Sequence, residues 1–284
     1  MKLTVLGTGG GGSPRLGRAG SAALVTVGDD RLLFDCGPSA TVQLLRAGVR
    51  PEDVGPLFLT HHHFDHLVDL PYFAMSSWIA GREEPLSVFG PVGTSHIVDM
   101  LFGADGAFDA DLRARSESPA AQRIYMSRHG KTRDRMRIVA IDLLTEGPIH
   151  ESAGWRVSAA RMPHTQPFME SLAYRVDSGD RSVVISGDTA PSAAMEAFAA
   201  GADVLLHECT RPDDDLIRLG LEHHHTGPIA LGAIAQRAGV ATLVLTHFSI
   251  EHGAPGSVER MATEVRRHFT GETVVGSDLL ELEA

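Results

Sequence analysis

The chain has 284 residues, 43% of them hydrophobic and 21% charged, so it is long and apolar enough to bury a core, which argues against a disordered protein. Its formal net charge of −11 is opposite in sign to that of a general nucleic-acid binder, and the absence of an apolar run of about 18 residues argues against a membrane span. Two cysteines exclude a disulfide framework and the first apolar stretch is too short for a signal peptide, so we expect a cytoplasmic protein.

Short apolar runs alternate with segments that carry helix start and stop signals. The runs predict strands at 3–6, 22–27, 31–35, 57–60, 86–89, 155–160, 172–176, 182–186, 203–206 and 242–246. Ser or Pro at the start and Gly at the end predict helices at 39–47, 191–200, 228–238 and 257–268. The mixture predicts an α/β fold in which the first strands also pair antiparallel.

The first strand runs into the glycine-rich stretch GTGGGGSP. Gly7, Gly9 and Gly12 satisfy the spacing G-x-G-x-x-G, but a dinucleotide-binding loop must lead directly into a helix. Here Pro14 and two further glycines follow, and then a second strand. The stretch therefore predicts a tight connection between two strands, in which glycine adopts backbone conformations that other residues resist.

Four of the predicted strands deliver chemically active side chains where they end. His61 follows 57–60, Asp188 follows 182–186, His207 and Glu208 follow 203–206, and His247 follows 242–246. Because α/β sheets place their chemistry at the carboxyl ends of strands, we expect these side chains to share one site.

The stretch THHHFDH has the spacing H-x-H-x-D-H. In an extended segment His61 and His63 point to the same side, so both can bind one ion, while Asp65 and His66 can turn toward a second. Imidazole nitrogens and a carboxylate at this spacing suit zinc. The pattern predicts a metal centre.

Residues 103–137 interrupt the alternation of strands and helices. Eight Lys/Arg and two acidic residues lie between Arg113 and Arg137, which makes a basic patch in an acidic protein. The patch is either a solvated loop or helix face, or an insertion that covers the site and attracts an anionic substrate. On the second interpretation Arg133 and Arg135 would contact the substrate.

An ordered set of motifs along nearly the whole chain resembles the metallo-β-lactamase superfamily, in its ribonuclease Z-like branch. That branch includes the tRNA 3′-processing endonuclease, cyclic phosphodiesterases and some arylsulfatases. The motifs are GTGGGGSP at 7–14, LLFDCG at 32–37, THHHFDH at 60–66, MPHT at 162–165, SGDT at 186–189, HEC at 207–209 and LTHFS at 245–249. The resemblance implies one domain over residues 1–284 with an αββα sandwich, in which two mixed sheets are flanked by helices.

The resemblance also implies a pair of zinc ions, with manganese or iron as alternatives. One ion would be held by His61, His63 and His164, and the other by Asp65, His66 and His247, with Asp188 bridging the two. Asp65 would in addition orient the attacking hydroxide that bridges the metals.

The family that the sequence resembles has one further histidine, which donates a proton to the leaving group, and any of the three histidines at 223–225 could match it. Alignment on the helix that follows selects His225, with Glu208 as its partner, although Thr226-Gly227 departs from the usual Ser-Thr. The glycine loop lies near the metal cleft in this family, so Gly9 and Gly10 are expected to border the substrate.

The sequence favours a dinuclear zinc hydrolase that acts on a small phosphodiester or a related ester. Alternatives are a tRNA 3′-processing endoribonuclease, a thioesterase- or lactonase-type acyl hydrolase, and a non-hydrolytic iron protein. Processing of tRNA is disfavoured by the acidic charge and by the 23 residues between His164 and Asp188, which leave no room for the long arm that grips tRNA. We expect a homodimer, as is common in the resembling branch, and no membrane partner.

Overall fold

The computed structural model describes residues 1–249 and 256–284, and these form two seven-stranded sheets with helices on the outside. The first sheet has the order β14-β1-β2-β3-β4-β5-β6 and contains β1 (Lys2–Gly7), β2 (Ala22–Val27), β3 (Asp30–Phe34), β4 (Leu57–Phe58), β5 (Leu86–Gly90), β6 (Ile138–Asp142) and β14 (Leu280–Glu283). The second has the order β13-β12-β11-β10-β9-β8-β7 and contains β7 (Gly147–Ser152), β8 (Trp155–Met162), β9 (Ser171–Ser178), β10 (Arg181–Ile185), β11 (Val204–Glu208), β12 (Thr242–Thr246) and β13 (Glu272–Val275).

The helices lie on the two outer faces. They are α1 (Ala40–Arg46), α2 (Phe64–Leu67), α3 (Leu70–Ala80), α4 (Thr94–Phe102), α5 (Asp109–Glu117), α6 (Pro119–His129), α7 (Ala193–Phe198), α8 (Asp213–Leu219), α9 (Pro228–Ala238) and α10 (Ser257–His268), with a 3₁₀ turn at Pro51–Asp53. No helix within the described ranges is both long and apolar enough to cross a bilayer.

Each sheet is half antiparallel and half parallel. In the first, β14, β1, β2 and β3 pair antiparallel, and β3, β4, β5 and β6 pair parallel. In the second, β7 to β10 pair antiparallel and β10 to β13 pair parallel. The predicted antiparallel pairing of the early strands is therefore confirmed.

Alternation along the strands divides the core into three layers. Leu3 and Val5 point between the two sheets, where they pack with Phe34 and Tyr174. Leu6 points the other way and packs under α1 and α3. A third apolar layer joins the second sheet to α7, α9 and α10. The result is the αββα sandwich with two mixed sheets flanked by helices, as the sequence predicted.

Candidate metal centre

The strand ends bring the predicted residues to one edge of the sandwich. Because β10, β11 and β12 are parallel, their carboxyl ends lie together, and these place Asp188 after β10, Glu208 at the end of β11 and His247 after β12. β8 is antiparallel to β9, which is antiparallel to β10, so β8 also ends at this edge and delivers His164. In the first sheet, β4 ends two residues before Thr60 and three residues before His61, so His61 also lies at the carboxyl end of a strand.

One group of side chains consists of three imidazoles and a carboxylate. His63 Nδ1 lies 3.0 Å from His61 Nε2 and 3.3 Å from His164 Nε2. Asp188 Oδ2 lies 3.9 Å from His61 Nε2 and 3.8 Å from His164 Nε2. One atom of each of these four residues lies within 4.8 Å of the others, which is close enough to surround a single ion.

A second group lies beside the first and contains Asp65, His66 and His247, again with donor atoms within 4.8 Å of one another. The Nε2 atoms of His66 and His247 are 3.1 Å apart, and Asp65 Oδ2 is 3.6 Å from His247 Nε2. Asp188 Oδ1 is 3.5 Å from His66 Nε2 and 3.3 Å from His247 Nε2. One oxygen of Asp188 therefore faces each group.

The donor atoms fit divalent metal ions. Asp188 Oδ1 is buried and has no hydrogen-bond partner within the described part of the chain, although a buried carboxylate oxygen without a partner is costly. The imidazole nitrogens converge at about hydrogen-bond distance on one another, yet each neutral ring has only one N–H to donate. A cation in each group would satisfy these lone pairs, and the N/O donor set suits zinc and similar metals.

Partners on the outer side of the imidazoles fix which nitrogen faces the centre. His66 Nδ1 lies 2.7 Å from Asp35 Oδ2, and His164 Nδ1 donates to the carbonyl oxygen of His224 at 2.7 Å. His247 Nδ1 lies 3.1 Å from Thr210 Oγ1. With Nδ1 engaged in this way, Nε2 of each ring points inward, as in known metal sites.

Asp35 is a functional candidate that the sequence analysis did not single out. It is buried, with Oδ1 accepting from the Thr60 N–H at 2.7 Å and Oδ2 accepting from Thr60 Oγ1 at 2.9 Å, besides its contact with His66. Its φ of +58° lies in the left-handed region, which is uncommon for a residue with a side chain. The available signal was its position, immediately after a buried strand within the LLFDCG motif.

His225 and Glu208 form a pair next to both groups. His225 Nδ1 is 3.1 and 3.0 Å from the two carboxylate oxygens of Glu208 and 3.9 Å from Asp188 Oδ2. Burial alone would lower the pKa of His225, but the neighbouring Glu208 carboxylate outweighs it and raises the pKa to about 9. The His225 ring also lies within 4.8 Å of Asp188 and His247 donor atoms, so its position permits metal binding as well as proton donation.

The glycine loop between β1 and β2 borders the centre and contains no helix in residues 8–21, which excludes the dinucleotide-binding interpretation. A Cβ at Gly10 would lie 2.4 Å from His247 Nδ1, so the backbone approaches this ring as only glycine allows. Gly12 N–H donates to Asp65 Oδ2 at 3.1 Å. Gly9 and Gly10 line a cavity of about 310 Å³ that also includes Phe64 and Asp65.

The structure does not bring Arg133 and Arg135 to this edge. The Arg133 guanidinium lies over the rings of Trp78 and Tyr125 and donates to the carbonyl oxygen of Ile79, at the end of α3 remote from His66. Arg135 donates to Asp109 Oδ1 at 2.6 Å. Residues 131–137 lead into the first residue of β6, whereas the metal centre lies where the strands end.

Comparisons with known proteins agree with this fold. The profile of the family described as "Beta-lactamase superfamily domain" matches residues 30–248. A protein named Ribonuclease Z from Mycobacterium sp. (strain KMS) is 31% identical over 100% of this chain and 96% of its own length, and one from Mycobacterium tuberculosis (strain H37Rv) is 30% identical over 100% and 98%.

Two solved structures are similar over the whole chain. The metallo-beta-lactamase fold protein YhfI from Bacillus subtilis has a TM-score of 0.74 at 23% identity, covering 100% of this chain and 98% of that one. The short form of human tRNase Z has a TM-score of 0.69 at 22% identity, covering 100% and 99%.

Proposed function

The chain belongs to the metallo-β-lactamase superfamily, in its ribonuclease Z-like branch, and on that premise we propose that it is a dinuclear zinc phosphodiesterase that cleaves precursor tRNA at its 3′ side. Membership makes it a metal-dependent hydrolase. The observation that carries the proposal of a centre with two metal ions is the position of Asp188, whose two carboxylate oxygens each face one group of imidazoles.

We assign the ligands as follows. One zinc ion would be held by His61, His63 and His164, the other by Asp65, His66 and His247, and Asp188 would contribute one oxygen to each. When bound, the two ions supply Lewis-acid chemistry and lower the pKa of water toward neutrality. Manganese or iron would suit the same donors.

The protein's own groups complete the chemistry. Asp65, held by the Gly12 N–H, orients the attacking water, while His225 protonates the leaving oxygen as the P–O bond breaks. Glu208 engages His225 Nδ1, so the proton is donated from Nε2. Glu208 is itself fixed, because its Oε1 accepts from the Thr189 N–H at 2.7 Å. The cavity beside Gly9 and Gly10 provides room for the nucleotide next to the scissile bond.

The names of the relatives favour tRNA as the substrate over the small phosphodiester that the sequence analysis placed first. They carry the name Ribonuclease Z, and the alignment with this 284-residue chain spans only 292 positions and 96% of the relative. If the relatives had a long arm that this chain lacks, the alignment would have needed many more positions. The short span between His164 and Asp188 therefore does not separate this chain from those relatives. A small phosphodiester remains the second candidate because of the net charge of −11.

The test is to compare a precursor tRNA carrying a 3′ trailer with bis(p-nitrophenyl) phosphate, a phenyl sulfate and a thioester, each with zinc-loaded protein. We expect cleavage at one position in the precursor, and no cleavage by the Asp188→Ala variant, which serves as the control for contaminating nucleases. Hydrolysis of the small diester without cleavage of the precursor would favour the second candidate. Iron rather than zinc in protein purified without added metal, together with no hydrolysis at all, would refute both.

A further inference from the structure

Positive charge in this chain is concentrated in one stretch. Residues 113–137 hold eight Lys/Arg and two acids, which leaves 17 Lys/Arg and 34 Asp/Glu for the rest of the chain. Six of the eight Lys/Arg in residues 113–137 form what we call the basic flank: Arg123, Arg128, Lys131, Arg133, Arg135 and Arg137. In an acidic protein such a patch attracts an anionic partner.

The basic flank is firmly built rather than a loose arm. Gln122 and Arg133 are joined twice, by Gln122 Nε2 donating to the Arg133 carbonyl oxygen and by the Arg133 N–H donating to Gln122 Oε1, each at 2.8 Å. Trp78 Nε1 donates to the carbonyl oxygen of Asp134 at 3.0 Å. The Arg133 guanidinium is held 4.9 Å from the Trp78 ring centre and 4.3 Å from that of Tyr125. A preorganised surface loses little entropy when it binds.

Three exposed cations of the flank are not matched by a carboxylate, and the half-buried Arg133 lies over aromatic rings instead. Arg123 and Arg128 are exposed on α6 and form no ion pair with any described residue. Arg137 donates to the backbone carbonyl of Glu83 at 3.1 Å, which leaves its charge uncompensated. By contrast, Lys131 pairs with Glu83 and Arg135 pairs with Asp109.

The aromatic rings of the flank are not available for stacking on bases. Trp78 and Tyr125 are each 4% exposed, and their faces are packed against Arg133. Proteins that bind single strands rely on exposed aromatic rings, whereas duplex RNA is bound mainly through its phosphates and its shape. The flank therefore suits the backbone of a folded RNA stem.

The flank is separate from the metal centre but connected to it by α3. This helix begins four residues after His66 and ends at Ala80, next to the carbonyl that accepts from Arg133. Its 11 residues span roughly 16 Å at 1.5 Å per residue. One folded RNA can therefore contact both places.

From these observations we infer that the basic flank is a docking surface for the stem of the RNA substrate, remote from the bond that is cleaved. This inference rests on the proposed function. The flank contributes affinity through phosphate contacts and leaves the chemical step to the metal centre.

The test replaces together the three exposed cations that lack a carboxylate partner, as Arg123→Gln, Arg128→Gln and Arg137→Gln. For precursor tRNA we expect kcat/KM to fall at least about tenfold, almost entirely through KM, and the slope of log kcat/KM against log salt to become shallower by about 2 to 3. Hydrolysis of bis(p-nitrophenyl) phosphate should not change, because that substrate is too small to reach the flank.

A matched control carries the same loss of charge elsewhere, as Arg156→Gln, Arg181→Gln and Arg237→Gln, and should behave like the unchanged protein. Binding of uncleaved precursor is measured with all three proteins. If the unchanged protein cleaves the precursor and the flank variant binds and cleaves it equally well, the inference is wrong while the proposed function stands. If the unchanged protein neither binds nor cleaves it, both are wrong.

Discussion

Asp35→Asn offers the most direct test of how the metal centre is held. Asn tolerates the left-handed backbone conformation at this position and can still accept from the Thr60 N–H, so the fold should survive. Its amide nitrogen, however, would replace the oxygen that lies 2.7 Å from His66 Nδ1. Two N–H donors would then face each other unless His66 moves its proton to Nε2, which would remove the lone pair aimed at the metal.

Loss of such an outer partner typically lowers metal affinity 10- to 100-fold, or about 1.4 to 2.8 kcal/mol. The assay is zinc content per chain by mass spectrometry after dialysis against buffers of graded free zinc. We expect one of the two zinc sites in the variant to be half occupied at a 10- to 100-fold higher concentration of free zinc than in the unchanged protein, with activity lost in parallel as free zinc is lowered.

Asp203→Asn is a matched control, because Asp203 Oδ2 also accepts from a backbone N–H and a hydroxyl, those of Ser182. It lies at the opposite end of β11 from the centre. If both variants retained zinc equally at every free concentration, the role that we give to Asp35 would be refuted.

Three further changes probe the site. Exhaustive chelation should abolish hydrolysis and lower the Tm, with both restored by zinc, and full activity in the metal-free protein would contradict the assignment. His225→Ala should keep both metal ions but reduce kcat by about 10² to 10⁴, whereas loss of zinc would make His225 a ligand instead of a proton donor. Gly10→Ala should lower metal content and activity together, because the new methyl group would displace His247, and normal zinc content would show that the loop adapts.

The sequence predicted ten of the fourteen described strands and several helices because their signals are local, and it missed β6, β7, β13 and β14. The helices predicted at 228–238 and 257–268 match α9 and α10, where Pro or Ser begins the helix. The helix α3 was missed because its own apolar side chains lie on all of its faces: Phe73 and Trp78 are buried and Tyr72 is exposed. No polar face therefore marks a helical period. The helices α5 and α6 were missed for the opposite reason, since few of their residues are buried.

For the site, spacing in the sequence was sufficient where the donors share a segment. His61 and His63 could be paired from their alternation in an extended chain. The position of Asp188 after a strand predicted that it shares their site, but the grouping of His164 with them depends on strand order, which no local pattern encodes, and came from the family resemblance. Asp35 was missed because its role depends on contacts with Thr60 and His66, which lie 25 and 31 residues away.

The two groups of donors are drawn from both sheets, and this determines what metal binding stabilises. His61 to His66 extend from β4 in the first sheet, while His164, Asp188 and His247 extend from the second. The apolar layer between the sheets already holds them face to face, so the metal need not create the fold. A metal bound there would add a cross-link at one edge, between segments that otherwise bring buried imidazoles and an unpartnered carboxylate oxygen together. The apolar core thus offsets the cost of assembling these polar groups, and bound ions would make that arrangement favourable in itself.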